Sequence, residues 1–183
     1  FGIGSDKEIT AVTFGLYAAE DLVSASGMTI PKDCLMEIVS CDENGYACFS
    51  VDLPVGAKAY VKEISTDSHY ILSDEIYPVA FEYAGQEVVT VYIDANGGKE
   101  IPNDLIYGTV KGYKVDRETD EAIRGALFGL FRADETSFTE DTAILTAESG
   151  EDGVFTFENI VYGNFAVREL RPAEGYLENE VVY

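Results

Sequence analysis

The 183-residue chain is strongly acidic, with 34 aspartates and glutamates against 12 lysines and arginines and a formal net charge of −22. This charge argues against a nucleic-acid partner and against electrostatic binding to anionic lipid. Hydrophobic residues make up 46% of the chain, which is enough for ordinary cores and excludes global disorder. No apolar run reaches the ~18 residues that a membrane span needs, so we expect no membrane insertion of this segment.

Short strands separated by turn residues fill the first half of the chain. The predicted strands lie at 9–18, 35–41, 46–51, 59–64, 77–83, 87–93 and 99–103. A loop at 21–32 is followed by Asp33, which could cap one helical turn. The dipeptide Asn44-Gly45 predicts a tight hairpin turn between the second and third strands.

The pattern restarts after a short junction near residue 104, and we predict two domains, 1–104 and 105–183. FGLF at 128–131 repeats FGLY at 14–17, and GVFTF at 153–157 repeats GYACF at 45–49. Further strands are predicted at 109–115 and 123–131. No segment has a sustained helical period, so the sequence predicts an all-β protein of two tandem antiparallel β-sandwiches.

The two copies differ from complete sandwiches at their ends. We expect the first copy to lack its first strand and the second copy to lack its last strand. The chain is therefore interpreted as part of a longer protein whose targeting signals lie outside it.

A glutamate ends the apolar face of one strand in each copy. At strand spacing Glu169 shares a face with Phe165 and Val167, and Glu63 ends the equivalent pattern 106 residues earlier. An ionised carboxylate in an apolar layer is costly unless it is paired or protonated. Matched positions in two copies therefore indicate one unusual buried acid in each.

Lys114 is the candidate partner of the second acid. Alternation from Val110 through Gly112 places Lys114 on one face, and if that face is inward the lysine enters the core. Burial disfavours the charged amine, and a neutral amine is a nucleophile. The residues alone leave two interpretations open: a buried salt bridge with Glu169, or a reactive pair.

Cysteine and histidine offer little chemistry. Cys34, Cys41 and Cys48 lack the paired spacing of a zinc site. A two-residue hairpin turn would place Cys41 opposite Cys48, which allows a cross-strand disulfide; two free thiols are the alternative. With His69 as its only histidine, the chain has no nucleophile, base and orienter set for an enzyme, and we expect no cofactor or metal.

Residues 108–183 resemble a CnaB-type domain, also called SpaA-type or prealbumin-like, from the wall-anchored adhesins and pilins of Gram-positive bacteria. The resemblance is carried by GTV at 108–110, KVD at 114–116, GALFGLF at 125–131, GVFTF at 153–157, YG at 162–163, RE at 168–169 and PAEGY at 172–176. Residues 9–103 resemble a longer variant of the module through FGLYAAED at 14–21, DLPVG at 52–56, VKE at 61–63 and IPN at 101–103.

The resemblance implies an inverse-immunoglobulin sandwich in each copy and a spontaneous isopeptide bond between a lysine and an asparagine, assisted by a glutamate. It assigns Lys114 as the nucleophile and Glu169 as the acid of the second domain. In the first domain it assigns Glu63 as the acid and Asn103 as the acceptor.

Each domain holds only part of this triad. Lys7 lies too close to the FGLY motif to match the lysine, and Asn179 follows the PAEGY motif too soon to match the asparagine. The partners of Lys114 and Asn103 are therefore absent, and we expect no complete isopeptide bond within either domain of this chain.

The resemblance implies a non-enzymatic stalk module of a secreted, wall-attached pilin or adhesin, similar to collagen adhesion proteins, whose partners are neighbouring repeat domains of the same chain. At most, the intact parent would form its isopeptide bonds autocatalytically. The alternative is an adhesin region that binds a host extracellular-matrix protein or a glycan.

Overall fold

A computed structural model of the chain describes residues 6–24, 26–87 and 93–183. Over these residues the protein consists of antiparallel strands with a five-residue helix and one short 3-10 turn, which confirms the all-β prediction. The chain divides into two compact units, the first ending at Asp104 and the second beginning at Leu105. Residues 88–92 of the predicted strand at 87–93 lie outside the described residues.

The first unit is built on one four-stranded sheet. Its elements are α1 (Asp6–Thr10), β1 (Thr13–Ala18), β2 (Leu22–Val23), β3 (Thr29–Ile30), β4 (Leu35–Ser40), β5 (Lys58–Ser65), β6 (Ile76–Ala80) and a 3-10 turn (Ala95–Gly98). The sheet has the order β4-β1-β5-β6, and β2 and β3 pair separately. Phe14, Leu16 and Val61 are buried on its inner face, where Phe49 and Ile101 from segments without strand pairing cover them.

Four local predictions for the first unit are wrong. Residues 9 and 10 belong to α1 rather than to the first strand, and the loop at 21–32 contains the β2–β3 hairpin. Asp33 does not cap a helix: it lies in a turn with a φ of 63°, a backbone region that aspartate tolerates better than most residues. Residues 99–103 are not in a described strand.

The second unit is a two-layer sandwich. Its strands are β7 (Tyr107–Tyr113), β8 (Leu127–Arg132), β9 (Leu145–Glu148), β10 (Val154–Val161) and β11 (Phe165–Arg171). One sheet has the order β10-β7 and the other β11-β8-β9. The rings of Phe128 and Phe155, one from each sheet, stack with centroids 3.8 Å apart in the core.

Both units use the same sheet around the buried acids. The order β9-β8-β11 of the second unit repeats β4-β1-β5 of the first. Glu169 pairs with Phe128, and Glu63 pairs with Phe14. The register continues at the next strand, because Val182 pairs with β11 106 positions after Ile76 pairs with β5. The repeat seen in the sequence is thus a repeat of strand register.

The predicted hairpin at 35–51 forms only in part. The chain turns at Asn44-Gly45, but residues 46–51 pair with no described strand. Their equivalents in the second unit form β10, which pairs with β7 rather than with the preceding strand β9. In the first unit the Glu37 carboxylate instead accepts the N–H groups of Ser50 and Val51, both at 2.8 Å.

The cross-strand disulfide between Cys41 and Cys48 does not form for the same reason. After the turn, residues 46–51 do not pair with β4, so Cys41 and Cys48 are not neighbours on adjacent strands, and both are free thiols. Cys41 is buried and Cys48 is exposed. Burial, together with the carboxylates of Asp42 and Glu63, raises the pKa of the Cys41 thiol.

Gly112 provides a test of how β7 packs in the second unit. A Cβ at this position would lie 2.1 Å from Cζ of Phe155, whose ring is already stacked on Phe128. We therefore expect Gly112→Ala to lower the free energy of unfolding by about 1–3 kcal/mol through overpacking. Chemical denaturation of the full chain measures this change.

The matched control is Gly108→Ala in the same strand. The nearest atom to a Cβ there is the Ile160 carbonyl oxygen at 4.0 Å, so the change should stay within about 0.5 kcal/mol. Equal effects of the two substitutions would contradict the described packing of β7.

Candidate functional site

A buried ion pair joins the two sheets of the second unit. Nζ of Lys114 lies 2.9 Å from Oε1 and 3.2 Å from Oε2 of Glu169. The side chain of Glu169 is 1% exposed and that of Lys114 is 15% exposed. The backbone N–H of Asn179 donates a second bond to Oε2 at 2.7 Å. The inward orientation predicted for both residues is confirmed.

The backbone at the end of β7 fixes the direction of Lys114. Its N–H donates to the Gly153 carbonyl at 2.7 Å, and its carbonyl accepts the N–H of Ile123 at 3.0 Å. Val110 is half-buried while Lys111 is exposed, so the inward face of β7 leads to Lys114. These two main-chain hydrogen bonds hold the backbone of Lys114 so that its amine is directed towards the carboxylate of Glu169.

The first unit brings the other half of the predicted chemistry together. Glu63 is 2% exposed, and its Oε2 accepts the Asn103 side-chain amide N–H at 2.8 Å and the Ser73 backbone N–H at 2.7 Å. The Asn103 amide also donates to the Ile71 carbonyl at 3.1 Å. Since the Ile71 N–H donates to the Asp104 carbonyl at 2.7 Å, the chain around Asn103 is held against the acid.

The two glutamates are held in the same way. Ser73 and Asn179 each lie ten positions after their glutamate, and each gives a backbone N–H to Oε2 at the same distance of 2.7 Å. Neither Oε1 has a hydrogen-bond partner among the described residues. Oε1 of Glu169 nevertheless lies 2.9 Å from the Lys114 amine, whereas no described cation pairs with Glu63. The two acids thus differ in their counter-ion.

Among the side chains that the structure describes, neither unit brings lysine, glutamate and asparagine together in one place. Asn179 is near Glu169 only through its backbone, because its side chain donates to the Tyr183 hydroxyl at 3.0 Å and accepts the Val181 N–H at 3.1 Å. Lys7 is described only as part of α1. The roles assigned to the four site residues by resemblance therefore stay predictions.

The sequence reasoning missed the two backbone donors, Ser73 and Asn179. A main-chain N–H can come from any residue type except proline, so no residue identity marks it. The spacing was nevertheless visible, since Tyr70 and Tyr176 both follow their glutamate by seven positions. Equal spacing after a buried acid is a signal for an equivalent turn.

Other sites have little support in the described part of the chain. No group of three or more histidine, cysteine, aspartate or glutamate residues there could hold a metal ion. None of the described helices has the length and apolar character that crossing a bilayer requires. Acidic residues at the turns bind backbone instead, as when Asp42 accepts the N–H groups of Asn44 and Tyr46.

Comparison with known proteins gives a family match for the second unit and a likeness of fold for the chain as a whole. Residues 108–183 match the family model of the SpaA prealbumin-like fold domain. A search of curated proteins finds no match. Among solved structures, the Bacillus anthracis TIE protein is similar to the chain with a TM-score of 0.64 and 19% identity, over 94% of this chain and 27% of that protein.

A second similar structure is the C-terminal fragment of the pilus adhesin SpaC from Lactobacillus rhamnosus GG. It has a TM-score of 0.51 and 12% identity, over 100% of this chain and 74% of that fragment. At these identities the likeness concerns the fold. The chain spans only about a quarter of the TIE protein.

The ion pair itself is open to test by Lys114→Met. Removing the amine leaves a buried carboxylate without its cation, so we expect a loss of roughly 3–5 kcal/mol in the free energy of unfolding. Lys114→Met combined with Glu169→Leu should recover most of the loss, since an apolar pair needs no charge compensation. Urea denaturation of the full chain measures all three proteins.

The control is Arg124→Met, which breaks an ion pair of the same length at the surface. Arg124 and Glu151 are 2.9 Å apart but 67% and 85% exposed, so little stability should be lost. If Lys114→Met cost no more than this control, the pair would not be buried as described.

Proposed function

Because its second unit belongs to the SpaA family of prealbumin-like fold domains, we propose that the chain is a structural module of a bacterial cell-surface pilin or adhesin. The observation that carries the proposal is the buried pair of Lys114 and Glu169, together with its counterpart of Glu63 and Asn103. Two glutamates held by equivalent backbone bonds support one common use in both units.

That use is the formation of an isopeptide bond. The lysine ammonium first gives one proton to the buried glutamate. The resulting amine attacks Cγ of an asparagine side chain, the Nζ–Cγ bond forms and the Cγ–Nδ2 bond breaks. The leaving nitrogen takes one hydrogen from the former amine and the proton that the glutamate holds, and departs as ammonium. Lys114 supplies the amine with Glu169, and Asn103 supplies the amide with Glu63.

Such a bond suits a load-bearing module rather than an enzyme, because each site reacts once. A cross-link that closes a loop of about 100 residues stabilises a domain by roughly 4–5 kcal/mol in the chain-entropy description. It also prevents the joined strands from separating under tension. The natural partners are then neighbouring domains of the same chain, at the outer surface and attached to the cell wall.

The alternative is a region that binds a host matrix protein or a glycan. Exposed tyrosines on β7 favour it: Tyr107 and Tyr113 are 58% and 66% exposed. Saturable binding of this chain to one such host ligand, lost on Tyr107→Ser with Tyr113→Ser, would support adhesion over a purely structural role.

Tryptic mapping of the surface protein that carries this chain tests the isopeptide role. We expect no cleavage after Lys114, because its amine is in an amide bond, and a mass about 17 Da lower for each bond formed. Glu169→Ala should restore both the cleavage and the mass. The 183-residue chain by itself should keep the mass of its sequence.

Lys111 is the internal control, because it lies three residues earlier on the exposed face of the same strand. It should be cleaved in every sample. Cleavage after Lys114 as complete as after Lys111 in the native surface protein would contradict the proposal.

A further inference from the structure

Arg168 is next to the buried acid of the second unit in the sequence but lies on the opposite face of β11. Within the sheet Glu169 pairs with Phe128 of the core, whereas Arg168 pairs with Gly129. A Cβ added to Gly129 would meet the ring of Phe131, which lies on that outer face. The Arg168 side chain is 23% exposed, and the proposed chemistry gives it no role. Its guanidinium is therefore outside the core, while its backbone adjoins the acid.

An aromatic side chain holds the guanidinium of Arg168 in place. Its Cζ lies 5.5 Å from the ring centroid of Phe138, within the range of a cation–π contact. Phe138 belongs to the connection between β8 and β9, and it packs edge-on against the buried ring of Phe131 with centroids 4.9 Å apart. Nε of Arg168 is buried and has no hydrogen-bond partner among the described residues. The ring and an ion pair therefore set the direction of the guanidinium.

The ion pair is formed with Glu178, in the segment that follows β11. Nη2 of Arg168 lies 3.6 Å from Oε1 of Glu178, whose side chain is 45% exposed. A half-exposed pair of this kind contributes little stability by itself. Its position matters more, because the next residue is Asn179, whose backbone N–H donates to Oε2 of Glu169 at 2.7 Å. Two successive residues of this segment thus contact two successive residues of β11, one on each face of the sheet.

The other contacts of this segment act further along the chain. Val182 forms a bridge with Arg168, and Tyr183 exchanges two backbone hydrogen bonds with β11, both at 3.0 Å. The Asn179 side chain donates to the Tyr183 hydroxyl, also at 3.0 Å. Among the described contacts, Arg168 is the one partner of the Glu178 side chain. The peptide that joins Glu178 to Asn179 is therefore held on its outer side by Arg168.

The first unit holds the equivalent backbone N–H in another way. That N–H belongs to Ser73, and the residue at the position of Arg168 is Lys62, 106 positions earlier. None of the described ion pairs and cation–π contacts includes Lys62. Instead, the Ile71 N–H donates to the Asp104 carbonyl at 2.7 Å and fixes the backbone just before Ser73. A cation on the outer face is thus a feature of the second unit.

We propose that Arg168 is a positioning residue for the acid of the second unit. Held by Phe138, its guanidinium keeps Glu178 on the outer face, so that the adjoining peptide presents its N–H to Oε2 of Glu169. With Oε2 bound in this way, Oε1 stays turned towards the Lys114 amine, 2.9 Å away. The hold on the N–H follows from these contacts alone, whereas an effect on isopeptide formation also rests on the proposed function.

Amide hydrogen exchange of the full chain, followed by NMR, tests the positioning directly. We expect Arg168→Met to raise the exchange rate of the Asn179 N–H by about tenfold, because the peptide then leaves the carboxylate more often. Its proton resonance should also move towards that of an amide bonded to water. The N–H of Lys114, which donates to the Gly153 carbonyl at 2.7 Å in the same unit, should keep its exchange rate.

Three further variants separate the contacts. Glu178→Gln should reproduce the effect of Arg168→Met, and the double variant should add nothing, since both changes remove one pair. Phe138→Leu keeps an apolar cover over Phe131 but removes the ring face, so it should raise the rate of Asn179 exchange by a smaller factor. Arg168→Lys retains the charge without the planar group and should restore part of the protection that Arg168→Met removes.

Two substitutions serve as matched controls. Arg171→Met removes a cation from the same strand, whose ion pair with Glu148 is 4.0 Å long and more than half exposed, so Asn179 exchange should not change. Lys62→Met changes the equivalent position of the first unit and should leave the exchange of the Ser73 N–H unchanged.

The outcomes separate this inference from the proposed function. An unchanged exchange rate at Asn179 in Arg168→Met would overturn the positioning role, and so would an equal increase in Arg171→Met. A uniform increase at every amide of the second unit, Lys114 included, would also overturn it, because Arg168 would then stabilise the sandwich as a whole.

Mass measurement on the surface protein that carries this chain provides the second arm. If the proposed function holds, Arg168→Met should slow the loss of about 17 Da that accompanies each bond. Faster Asn179 exchange in Arg168→Met, with no such mass loss in the unsubstituted surface protein, supports the positioning role and contradicts the proposed function alone.

Discussion

The constraint on which both units depend is the burial of one glutamate per unit at the same place in the same sheet. Glu63 lies opposite Phe14 and Glu169 opposite Phe128, and neither carboxylate has access to water. A charge in such a layer must be compensated by hydrogen bonds and a counter-ion. In each unit one backbone N–H, ten residues after the glutamate, donates a hydrogen bond to the carboxylate. The part of the charge that this bond does not compensate requires a further donor or a cation near the acid.

In the second unit this requirement fixes how β7 lies. The amine of Lys114 has to meet the acid, so the face that carries Val110 and Gly112 must point inward. Gly112 is then opposite Phe155, where only glycine fits against the stacked rings. These features depend on one another: the ion pair, the register of β7 and the glycine at position 112. A substitution that changes one of them therefore disturbs the other two.

Alternation in the sequence was enough to predict the inward faces of β5, β7 and β11, because each of these strands has a partner that keeps it extended. It failed for residues 46–51, whose spacing is as regular as that of β10. A segment becomes a β-strand only when a second segment pairs with it, and the sequence of the first does not show whether that partner is present. The strand prediction was also wrong for residues 9 and 10, which lie in α1. Ile9 is 42% exposed there, whereas Ile123, at the equivalent position of the second unit, is buried.

The site was predictable to the extent that its parts are side chains. Glu63 and Glu169 stand out as acids in apolar patterns, and Lys114 stands out by its phase in β7. Asn103 has no such signal, because polar residues are common beside turns. Its assignment as the acceptor came only from the resemblance of IPN at 101–103 to a family motif. The backbone donors at Ser73 and Asn179 have no residue-type signature at all.

The acidity of the chain bears on the same chemistry. With a net charge of −22, the surface attracts cationic segments, and this attraction extends only about 8–10 Å at physiological salt. This attraction acts on every cationic side chain alike, so it cannot select one lysine over another. The selection of Lys114 comes from the buried carboxylate of Glu169, where solvent and salt screen little and where an amine one position out of phase on the strand would point away from the acid. The single buried charge, and not the many exposed ones, therefore fixes the register of β7.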